Sequence, residues 1–414
     1  MNRRHFLSHL LATSTTAASA TYFTNSILAN QSVLKKNNKS AILLWMGGGP
    51  STIDLWDLKP GSATGGPFKP INTNVDGIQI CEHLPMLSKN MDKLTIVRSM
   101  STREVDHNRG RYYMHTGYVP NPSIEHPSYG SVISHELIDS VPHLEIPPFV
   151  SVGGSSVGAG FLGMTYAPFV VDTNGNIRDL NMGIDPNRIN QRLQMLKSIE
   201  DQFISQNRGE IGAEHLKVLN KTVKLMTSPQ MEAFKVNKEK PETKERYGNT
   251  GFGRGCLMAR RLVEIGVPFV EVDLGGWDNH SNIFPTLQNN KLPELDRAMS
   301  ALIEDLDQRG LLQNTSIIWM GEFGRTPNIN GNSGRDHWAR SWSVVVGGGS
   351  FKTGQIIGET SEDGKEILTE PYTSEDLFAS VLKSLNISTE TNFTSKNGRP
   401  MKIANNGKII KDLF

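Results

Sequence analysis

The sequence predicts an α/β protein built on a doubly wound, mostly parallel sheet with a helical insertion. Short apolar runs rich in β-branched residues alternate with amphipathic helical segments over most of the chain, a pattern typical of parallel sheets. Several of these runs end in glycine-rich turns that carry polar residues, which is where open α/β sheets place their sites. A polar, charge-rich stretch at about 174–249 interrupts the alternation, and we interpret it as the insertion.

Net charge, hydrophobic content and cysteine content limit the class of protein. The 414-residue chain has a formal net charge of +1, so a nucleic-acid-binding surface is not predicted. Hydrophobic residues make up 37% of it and no long biased tract interrupts it, which favours a folded globular domain. Cys81 and Cys256 lie far apart; an oxidising compartment would permit a disulfide between them, but their spacing does not assign one.

The amino terminus is predicted to be a twin-arginine export signal over residues 1–29. It contains Arg-Arg-x-Phe-Leu from Arg3, a mildly apolar middle and a small-residue triplet at 18–20. A membrane anchor is the alternative, but the middle is too short and too rich in serine and threonine to span a bilayer. We therefore expect passage through the twin-arginine machinery, a periplasmic or secreted location and no stable membrane anchor. Residues 40–414 are then predicted to form a single domain.

The first predicted strand is the buried run Ser40 to Met46, which is followed by three glycines and a proline. Ser51 and Thr52 come next. A glycine-rich turn after a strand lets backbone amides approach an anion and puts the next hydroxyl in the open, so either residue could be a nucleophile. The alternative is an ordinary turn and helix cap without a chemical role.

Two strands and two helices are predicted before the insertion. The strands cover 94–97 and 148–152, and the helices cover 106–117 and 131–138. The first of these helices carries three residues that could contact an anion at the site, His107, Arg109 and Arg111. A solvated helix face is the alternative interpretation of the same residues.

Within the insertion, apolar residues recur at helical spacing along two faces. These residues are Leu193, Leu196, Ile199 and Phe203 on one face, and Leu216, Leu219 and Val223 on the other. The three alternate glycines that start at Gly251 resemble a dinucleotide-binding loop. No strand precedes them and the third is misplaced, so we interpret them as the lead-in to a helix over 256–265.

The first of three polar clusters follows the buried run Val267 to Leu274, which is predicted to be a strand. Two glycines end this strand, and Asp278 and His280 come directly after them. An amphipathic helix with a glycine stop is predicted over 292–311.

The second and third clusters flank the next two predicted strands. The buried run Thr315 to Met320 leads into Glu322 and Arg325. The triplet Arg335-Asp336-His337 lies just before a strand predicted over 342–346.

Carboxylates and imidazoles dominate these three clusters. Side chains in the loops that leave parallel strands are expected to meet at one edge of the sheet. Oxygen and nitrogen donors suit a divalent metal ion such as zinc, manganese, iron or calcium, and the number of ions stays open. A single Asp-His pair is more often a capped turn, so the prediction depends on the three clusters together. The predicted metal ligands are Asp278, His280, Glu322, Asp336 and His337, with the alternative that Asp336 only orients His337.

Two further elements are predicted near the carboxyl terminus. Thr373 to Asp376 form a capping box for a helix that ends at Leu385. Asn-Asn-Gly at 405–407 lies between two short runs, which predicts a terminal hairpin of 401–404 with 408–413.

The order of these segments resembles one known family. Its most specific stretches here are GGWDNHSN, MGEFGRTP and GRDHW, which contain Asp278, Glu322 and His337. In these three stretches the chain resembles the secreted bacterial family called domain of unknown function 1501, which is similar to the alkaline phosphatase and sulfatase superfamily. The resemblance covers nearly the whole chain. It implies an alkaline-phosphatase-like fold with a nucleophile after the first strand and one or two divalent metals.

The resemblance also implies roles for single residues. Ser51 or Thr52 would be the nucleophile, Asp278, His280 and the late His337 would bind metal, and Glu322 would stand where the superfamily usually has an Asp-His pair. The chain departs from the superfamily at Gly47, where an acidic ligand is expected, and at Phe323, which replaces the histidine of that pair. It also lacks the Cys-x-Pro-x-Arg signature of sulfatases, so formylglycine chemistry is not expected.

Two functional hypotheses follow. The leading one is an exported metal-dependent hydrolase of phosphate or sulfate esters, which acts on a small molecule or a polysaccharide. In it, Arg325 or Arg335 would neutralise charge on the transferred group. The alternative is a non-catalytic binding or assembly protein of the cell envelope on a degenerate version of the same fold. The three clusters favour the first hypothesis, and the departures at Gly47 and Phe323 favour the second.

Overall fold

The core of the protein is one eight-stranded mixed sheet. This computed structural model describes residues 38–177 and 228–414 apart from 396, together with 191, 194, 195 and 225 as isolated residues. Residues 39–414 group into one compact unit. The predicted export signal and the two apolar faces of the predicted insertion lie outside the described residues, so both stay predictions.

The strands are short and most of them belong to the central sheet. In the described residues they are β1 (Ser40–Trp45), β2 (Pro70–Asn72), β3 (Gln79–Cys81), β4 (Leu94–Met100), β5 (Phe149–Val152), β6 (Phe169–Val171), β7 (Phe269–Asp273), β8 (Thr315–Met320), β9 (Gly324–Arg325), β10 (His337–Trp338), β11 (Trp342–Gly348), β12 (Gln355–Ile357), β13 (Asn392–Thr394) and β14 (Pro400–Lys402). The order in the central sheet is β12-β4-β11-β8-β1-β7-β5-β6. The other strands form three small pairs, β2 with β3, β9 with β10 and β13 with β14.

Strand β1 lies in the interior of the sheet and is buried along its whole length, from Ser40 to Trp45. It pairs in parallel with β7 on one side and with β8 on the other. Strand β11 is the exception in direction, since it runs antiparallel to both β8 and β4. The amino end of β11 therefore lies at the edge where the other strands of the sheet have their carboxyl ends.

Helices cover both faces of the sheet. In the described residues they are α1 (His107–Thr116), α2 (Tyr129–Leu137), α3 (Pro241–Tyr247), α4 (Gly251–Glu264), α5 (Ile283–Thr286), α6 (Leu292–Gln308) and α7 (Ser374–Ser384). Of these, none has both the length and the apolar character that a bilayer crossing requires. One apolar cluster packs α4 and α6 against Ile42 and Leu44, and another packs α1, α2 and α7 against Ala41 and Leu43. The predicted doubly wound, mostly parallel fold is confirmed.

Helix α4 begins earlier than predicted, at Gly251 instead of Cys256. Its cap is Thr250, whose side chain accepts a hydrogen bond from the Gly253 amide at 3.0 Å. Gly255 is also helical, and a Cβ at this position would lie 2.6 Å from Val272 Cγ1. The alternate glycines therefore belong to a capped helix that packs closely on β7, and not to a lead-in.

The predicted carboxyl-terminal hairpin is wrong. Strand β14 pairs with the preceding β13, and the segment after the Asn405-Asn406 turn forms no strand. Instead, the Ile410 amide donates to Ser380 Oγ at 2.9 Å, and Ile410 and Leu413 are buried in the cluster that contains α7. Burial of these two apolar side chains against the helix decided between the two arrangements.

Both cysteines are free and buried. Burial raises the pKa of the Cys81 thiol to about 12, and it raises the pKa of Cys256 well above its ordinary value. The thiolate is the reactive form of cysteine. Neither side chain is therefore reactive near neutral pH.

Candidate metal centre

Four loops meet at the edge where the parallel strands end. The loop after β7 carries Asp278 and His280, and the loop after β8 carries Glu322. His337 precedes β11, whose reversed direction brings it to the same edge. The fourth loop follows β4 and leads into α1, which begins at His107. Residues that are up to 230 positions apart in the chain are thus brought together by sheet topology.

Asp278, His280 and His337 lie in mutual contact. Asp278 Oδ1 is 2.9 Å from His280 Nε2 and 3.2 Å from His337 Nε2, and the two Nε2 atoms are 3.1 Å apart. Two ligands bound to one divalent ion at about 2.0–2.2 Å lie roughly 3.0–3.5 Å from each other. The three separations fit ligands of a single small cation. The Asp278 and His280 side chains are each 45% exposed, so solvent reaches this cluster.

The Nδ1 hydrogen bonds of the two imidazoles turn both Nε2 atoms toward Asp278, and His280 Nε2 also lies 3.4 Å from Arg325 Nη1. His280 Nδ1 lies 2.6 Å from Asp336 Oδ1, and His337 Nδ1 lies 2.6 Å from the Val105 carbonyl oxygen. These oxygens accept hydrogen bonds, so in the neutral rings Nδ1 carries the proton and Nε2 a lone pair. Two lone pairs that face each other at 3.1 Å repel unless a proton or a cation lies between them. The donor set therefore fits a metal ion.

His107 adds a further imidazole from outside the predicted metal set. Its Nε2 lies 3.3 Å from Asp278 Oδ2 and is buried without a hydrogen-bond partner. The ligand atoms of His107, Asp278 and His337 lie within 4.8 Å of one another. From the sequence, His107 is predicted only as an anion contact. A signal was present, since Asp106-His107 repeats the Asp-His pair at 336–337 directly before the helix that follows β4.

Glu322 lies behind His107. Its carboxylate accepts a hydrogen bond from the Gly48 amide at 2.9 Å and from His107 Nδ1 at 2.7 Å, and its side chain is 4% exposed. The bond to Glu322 raises the pKa of His107 above its usual value, although burial opposes this shift. In this geometry Glu322 orients an imidazole, and its predicted role as a metal ligand stays a prediction.

Asp336 lies behind His280 in the same way. Besides its bond to His280 Nδ1, it accepts a hydrogen bond from Asn330 Nδ2 at 3.2 Å. The hydrogen bond from His280 lowers the pKa of Asp336, so this carboxylate is ionised at neutral pH. A carboxylate behind a ligating histidine fixes the orientation of the ring and makes it a stronger donor.

Arg325 lies beneath the cluster with a fully buried side chain. Its Nη2 donates to Asp278 Oδ1 at 2.5 Å. Its other hydrogen bonds go to the carbonyl oxygens of Gly48, Gly49 and Arg335, and its Nη1 also lies 3.4 Å from His280 Nε2. Burial alone would raise the pKa of Asp278, but the guanidinium holds it at about 2. Arg325 thus keeps Asp278 ionised. The Arg325 side chain itself is buried and not exposed to a substrate.

Arg335 belongs to a buried network and not to the exposed cluster. Nε and Nη2 each donate to a carboxylate oxygen of Asp54 at 2.8 Å, and both side chains are at most 2% exposed. The remaining donors bind the carbonyl oxygens of Thr64, Thr326 and Pro327. All five N–H donors are therefore used. This geometry does not support the predicted contact between Arg335 and a transferred group.

The two predicted nucleophiles are buried beside this network. Ser51 is 1% exposed, and its Oγ donates to Asp54 Oδ2 at 2.6 Å. Thr52 is 4% exposed, and its Oγ1 accepts a hydrogen bond from the Ser343 amide at 3.2 Å. Among the contacts of the described residues, neither hydroxyl reaches Asp278 or the imidazoles. The structure thus separates the predicted nucleophiles from the predicted metal ligands.

The fold and this cluster together define an α/β protein with a carboxylate–histidine centre at the carboxyl edge of its sheet. The chain belongs to the family described as "Protein of unknown function (DUF1501)", whose family model matches residues 38–414. The family resemblance drawn from the sequence is thereby confirmed. No curated protein matches the chain.

Several solved structures have a similar fold. A sulfatase from Pseudoalteromonas sp. is 13% identical, with 88% of this chain and 71% of that chain covered and a TM-score of 0.39. An alkaline phosphatase superfamily protein from Vibrio parahaemolyticus is 12% identical, with coverage of 91% and 70% and a TM-score of 0.39. A phosphonate monoester hydrolase from Silicibacter pomeroyi is 11% identical, with coverage of 91% and 76% and a TM-score of 0.37.

Proposed function

We propose that this protein is an exported, metal-dependent hydrolase of phosphate or sulfate esters. The observation that carries the proposal is the convergence of three imidazole Nε2 atoms, those of His107, His280 and His337, on the carboxylate of Asp278. Nitrogen and oxygen donors in this combination favour zinc, manganese or iron, while calcium prefers oxygen donors alone. The substrate would be a small-molecule or polysaccharide ester.

The residues of the cluster divide into those that would hold the ion and those that hold its ligands. Asp278, His280 and His337 would bind it, with His107 next to the second carboxylate oxygen of Asp278. When bound, such an ion polarises an ester oxygen and lowers the pKa of a water molecule. The exposure of the cluster gives an ester access from solvent.

The surrounding residues supply orientation and charge. Asp336 and Glu322 each accept a hydrogen bond from an imidazole Nδ1, which fixes the ring and turns its Nε2 toward Asp278. Arg325 keeps Asp278 ionised down to acidic pH. These groups act on the ligands, not on the substrate, since their own hydrogen bonds are made within the protein.

Water is the proposed nucleophile in place of Ser51 or Thr52, because both hydroxyls are buried and already hydrogen-bonded. We expect Ser51→Ala and Thr52→Val to keep ester hydrolysis within about tenfold of the unsubstituted enzyme. Loss of a true nucleophile costs roughly 10⁴- to 10⁶-fold in kcat. A loss of that size in either variant, with the fold retained by circular dichroism, would return the role to that hydroxyl.

Elemental analysis of the purified protein tests the metal proposal directly. We expect close to stoichiometric divalent metal in the unsubstituted protein, and its loss in Asp278→Ala but not in the control Asp363→Ala, which removes an exposed carboxylate paired with Lys365. Hydrolysis of 4-nitrophenyl phosphate or sulfate should vanish in His280→Ala and His337→Ala. Protein that stays metal-free after reconstitution would contradict the proposal.

A non-catalytic binding or assembly protein of the cell envelope is the second candidate. It is favoured by the burial of Ser51 and Thr52, and by Phe323, whose ring takes the place of a second imidazole beside Glu322. Thermal unfolding with and without a chelator separates the two candidates, because an ion that binds only the folded state raises the melting temperature. An unchanged melting temperature would favour the second candidate.

A further inference from the structure

We propose that a cleft at the same edge of the sheet as the metal centre binds an anionic carbohydrate chain, one that carries sulfate or phosphate groups. The cleft encloses about 620 Å³ and is lined by the loop after β6, by α3 with the turn before it, and by the first turn of α4. A volume of this size admits several sugar units and far exceeds what a single ion requires. The claim that this carbohydrate carries the ester to be hydrolysed rests on the proposed function.

The cleft lies along the sheet from the metal centre. A Cβ on Gly251, at the start of α4, would be 3.6 Å from Thr173 Oγ1, and Thr173 follows β6. In the sheet, β6 is three strands from β1, which is roughly 14 Å at the usual strand spacing. Only an extended ligand could therefore occupy the cleft and the metal centre together.

Glycines line this edge of the sheet between the cleft and the metal centre. A Cβ on Gly154 would lie 2.9 Å from Asp273 Cβ, and one on Gly153 would lie 3.1 Å from Thr173 Cγ2. These positions follow β5, which stands between β7 and β6 in the sheet. Both glycines are thus closely packed against neighbouring residues, and a larger residue at either position would displace the loops at this edge.

Amide side chains dominate the polar lining of the cleft. Asn174, Asn176, Asn237 and Asn249 all line it and are all exposed. An amide can both donate and accept, which suits hydroxyl groups that do the same, although Asn176 Nδ2 already donates to Asp172 and Asn249 Oδ1 already accepts from Arg254. No aromatic ring is found among the cleft-lining residues that the structure describes, so the stacking that a nucleobase would use is not provided. The lining therefore favours a polyol over a nucleotide.

The charge of the cleft favours an anion. Lys244 and Arg254 line it, and neither forms an ion pair with a carboxylate in the described part of the chain. Lys244 Nζ donates to the Asn237 carbonyl oxygen, and Arg254 Nη1 donates to both the carbonyl oxygen and Oδ1 of Asn249, at 3.3 Å each. Glu245, the acidic residue of the lining, is neutralised by Arg297 at 2.5 Å. Two cations thus remain for the charged groups of a ligand.

Binding of short, fluorescently labelled dextran sulfate chains tests the proposal, with neutral dextran of equal length and inorganic sulfate as comparison probes. We expect the sulfated chain to bind, and the double variant Lys244→Met/Arg254→Gln to bind at least about tenfold more weakly, since two charge-assisted hydrogen bonds are lost. The matched control is Lys408→Met/Arg399→Gln, which removes one lysine and one arginine that are exposed in the carboxyl-terminal segment. Its affinity should stay unchanged.

Three results would overturn the proposal: no binding of the sulfated chain, equal binding by the cleft variant, or equal binding of neutral dextran or free sulfate. Circular dichroism and melting of both double variants show whether they fold. Binding of the sulfated chain, metal content and ester hydrolysis are measured on the same preparation of the unsubstituted protein. If the sulfated chain binds but the protein holds no metal and hydrolyses no ester, the cleft proposal stands and the proposed function is wrong. If the protein holds metal and hydrolyses esters but does not bind the sulfated chain, the proposed function stands and the cleft proposal is wrong.

Discussion

Asp278 is the side chain through which the elements of the candidate site are connected. Its two carboxylate oxygens contact three imidazoles and one guanidinium, those of His107, His280, His337 and Arg325. The buried arginine from the loop after β8 holds it in the ionised form. Asp278 thus connects the four loops that meet at this edge.

Asp336 supports His280 from behind, so its removal should weaken metal binding without unfolding the protein. We expect Asp336→Ala to lower metal affinity roughly 10- to 100-fold, as is usual for loss of a carboxylate behind a ligating histidine. Asp336→Asn should have a smaller effect, since the amide oxygen still accepts from Nδ1. Competition with a metal-binding dye measures both affinities. Equal affinity in Asp336→Ala and the unsubstituted protein would show that His280 is not a ligand.

Arg335 should prove to be a stabilising residue and not a catalytic one. Arg335→Met leaves the Asp54 carboxylate buried without its partner, and breaking a buried pair in this way costs about 3–5 kcal/mol of unfolding free energy. Arg340→Met is the control, because Arg340 is exposed and lies over the Trp338 ring. Urea unfolding gives both values. A catalytic role alone would leave the midpoint of Arg335→Met unchanged.

At the scale of elements, the reversal of β11 completes the site. A parallel β11 would carry its preceding residues to the opposite edge of the sheet, away from Asp278. Antiparallel pairing with β4 and β8 brings them to the correct edge. The small β9–β10 ladder then pairs His337 directly with Arg325. Two short, irregular strands thus set the position of one predicted ligand.

Helix α6 is joined to the loop before β4 by a buried acid, which gives a prediction for pH dependence. Asp296 accepts hydrogen bonds from the Met86 and Leu87 amides, and burial raises its pKa to about 6. The unfolded value is about 4. The folded state then holds its proton more tightly, so Asp296 lowers stability as pH rises from about 4 to about 6, by roughly 2–3 kcal/mol in total.

The Asp296→Asn variant removes this titration while its amide oxygen can still accept both backbone hydrogen bonds. We expect it to lose that downward slope and to be more stable than the unsubstituted protein at pH 7. Urea midpoints at steps between pH 4 and pH 7 provide the comparison. Parallel pH profiles of the two proteins would show that Asp296 is already ionised in the folded state at the acidic end.

At the scale of the whole molecule, export is the prediction that the sequence alone supports. Replacement of Arg3 and Arg4 by lysine should keep the protein in the cytoplasm, because the twin-arginine pair is the recognised part of the signal. Cell fractionation with an immunoblot measures the distribution. A control substitution at the exposed Lys411 should leave export intact. Unchanged export of the double lysine variant would point to a different signal.

The fold and part of the site could be predicted from local patterns. Strands such as β1 and β8 are continuous apolar runs between turn residues, and the capping box at Thr373 starts α7 as expected. The place of His107 beside Asp278 follows from the Asp106-His107 pair only once the sheet topology is known, because a histidine at a helix start can face either solvent or a ligand cluster. The hairpin error had a similar cause, since a turn motif does not say which strand will pair.

The sequence by itself determined the alternation of strands and helices, the family, and which loops carry carboxylates and imidazoles, because these follow from composition and spacing along the chain. Only the tertiary structure decided which of those side chains meet. It placed His107 against Asp278, and it buried Arg335 and Ser51 around Asp54. The reason is physical: burial and long-range pairing depend on how the strands are ordered in the sheet, and local sequence does not encode that order.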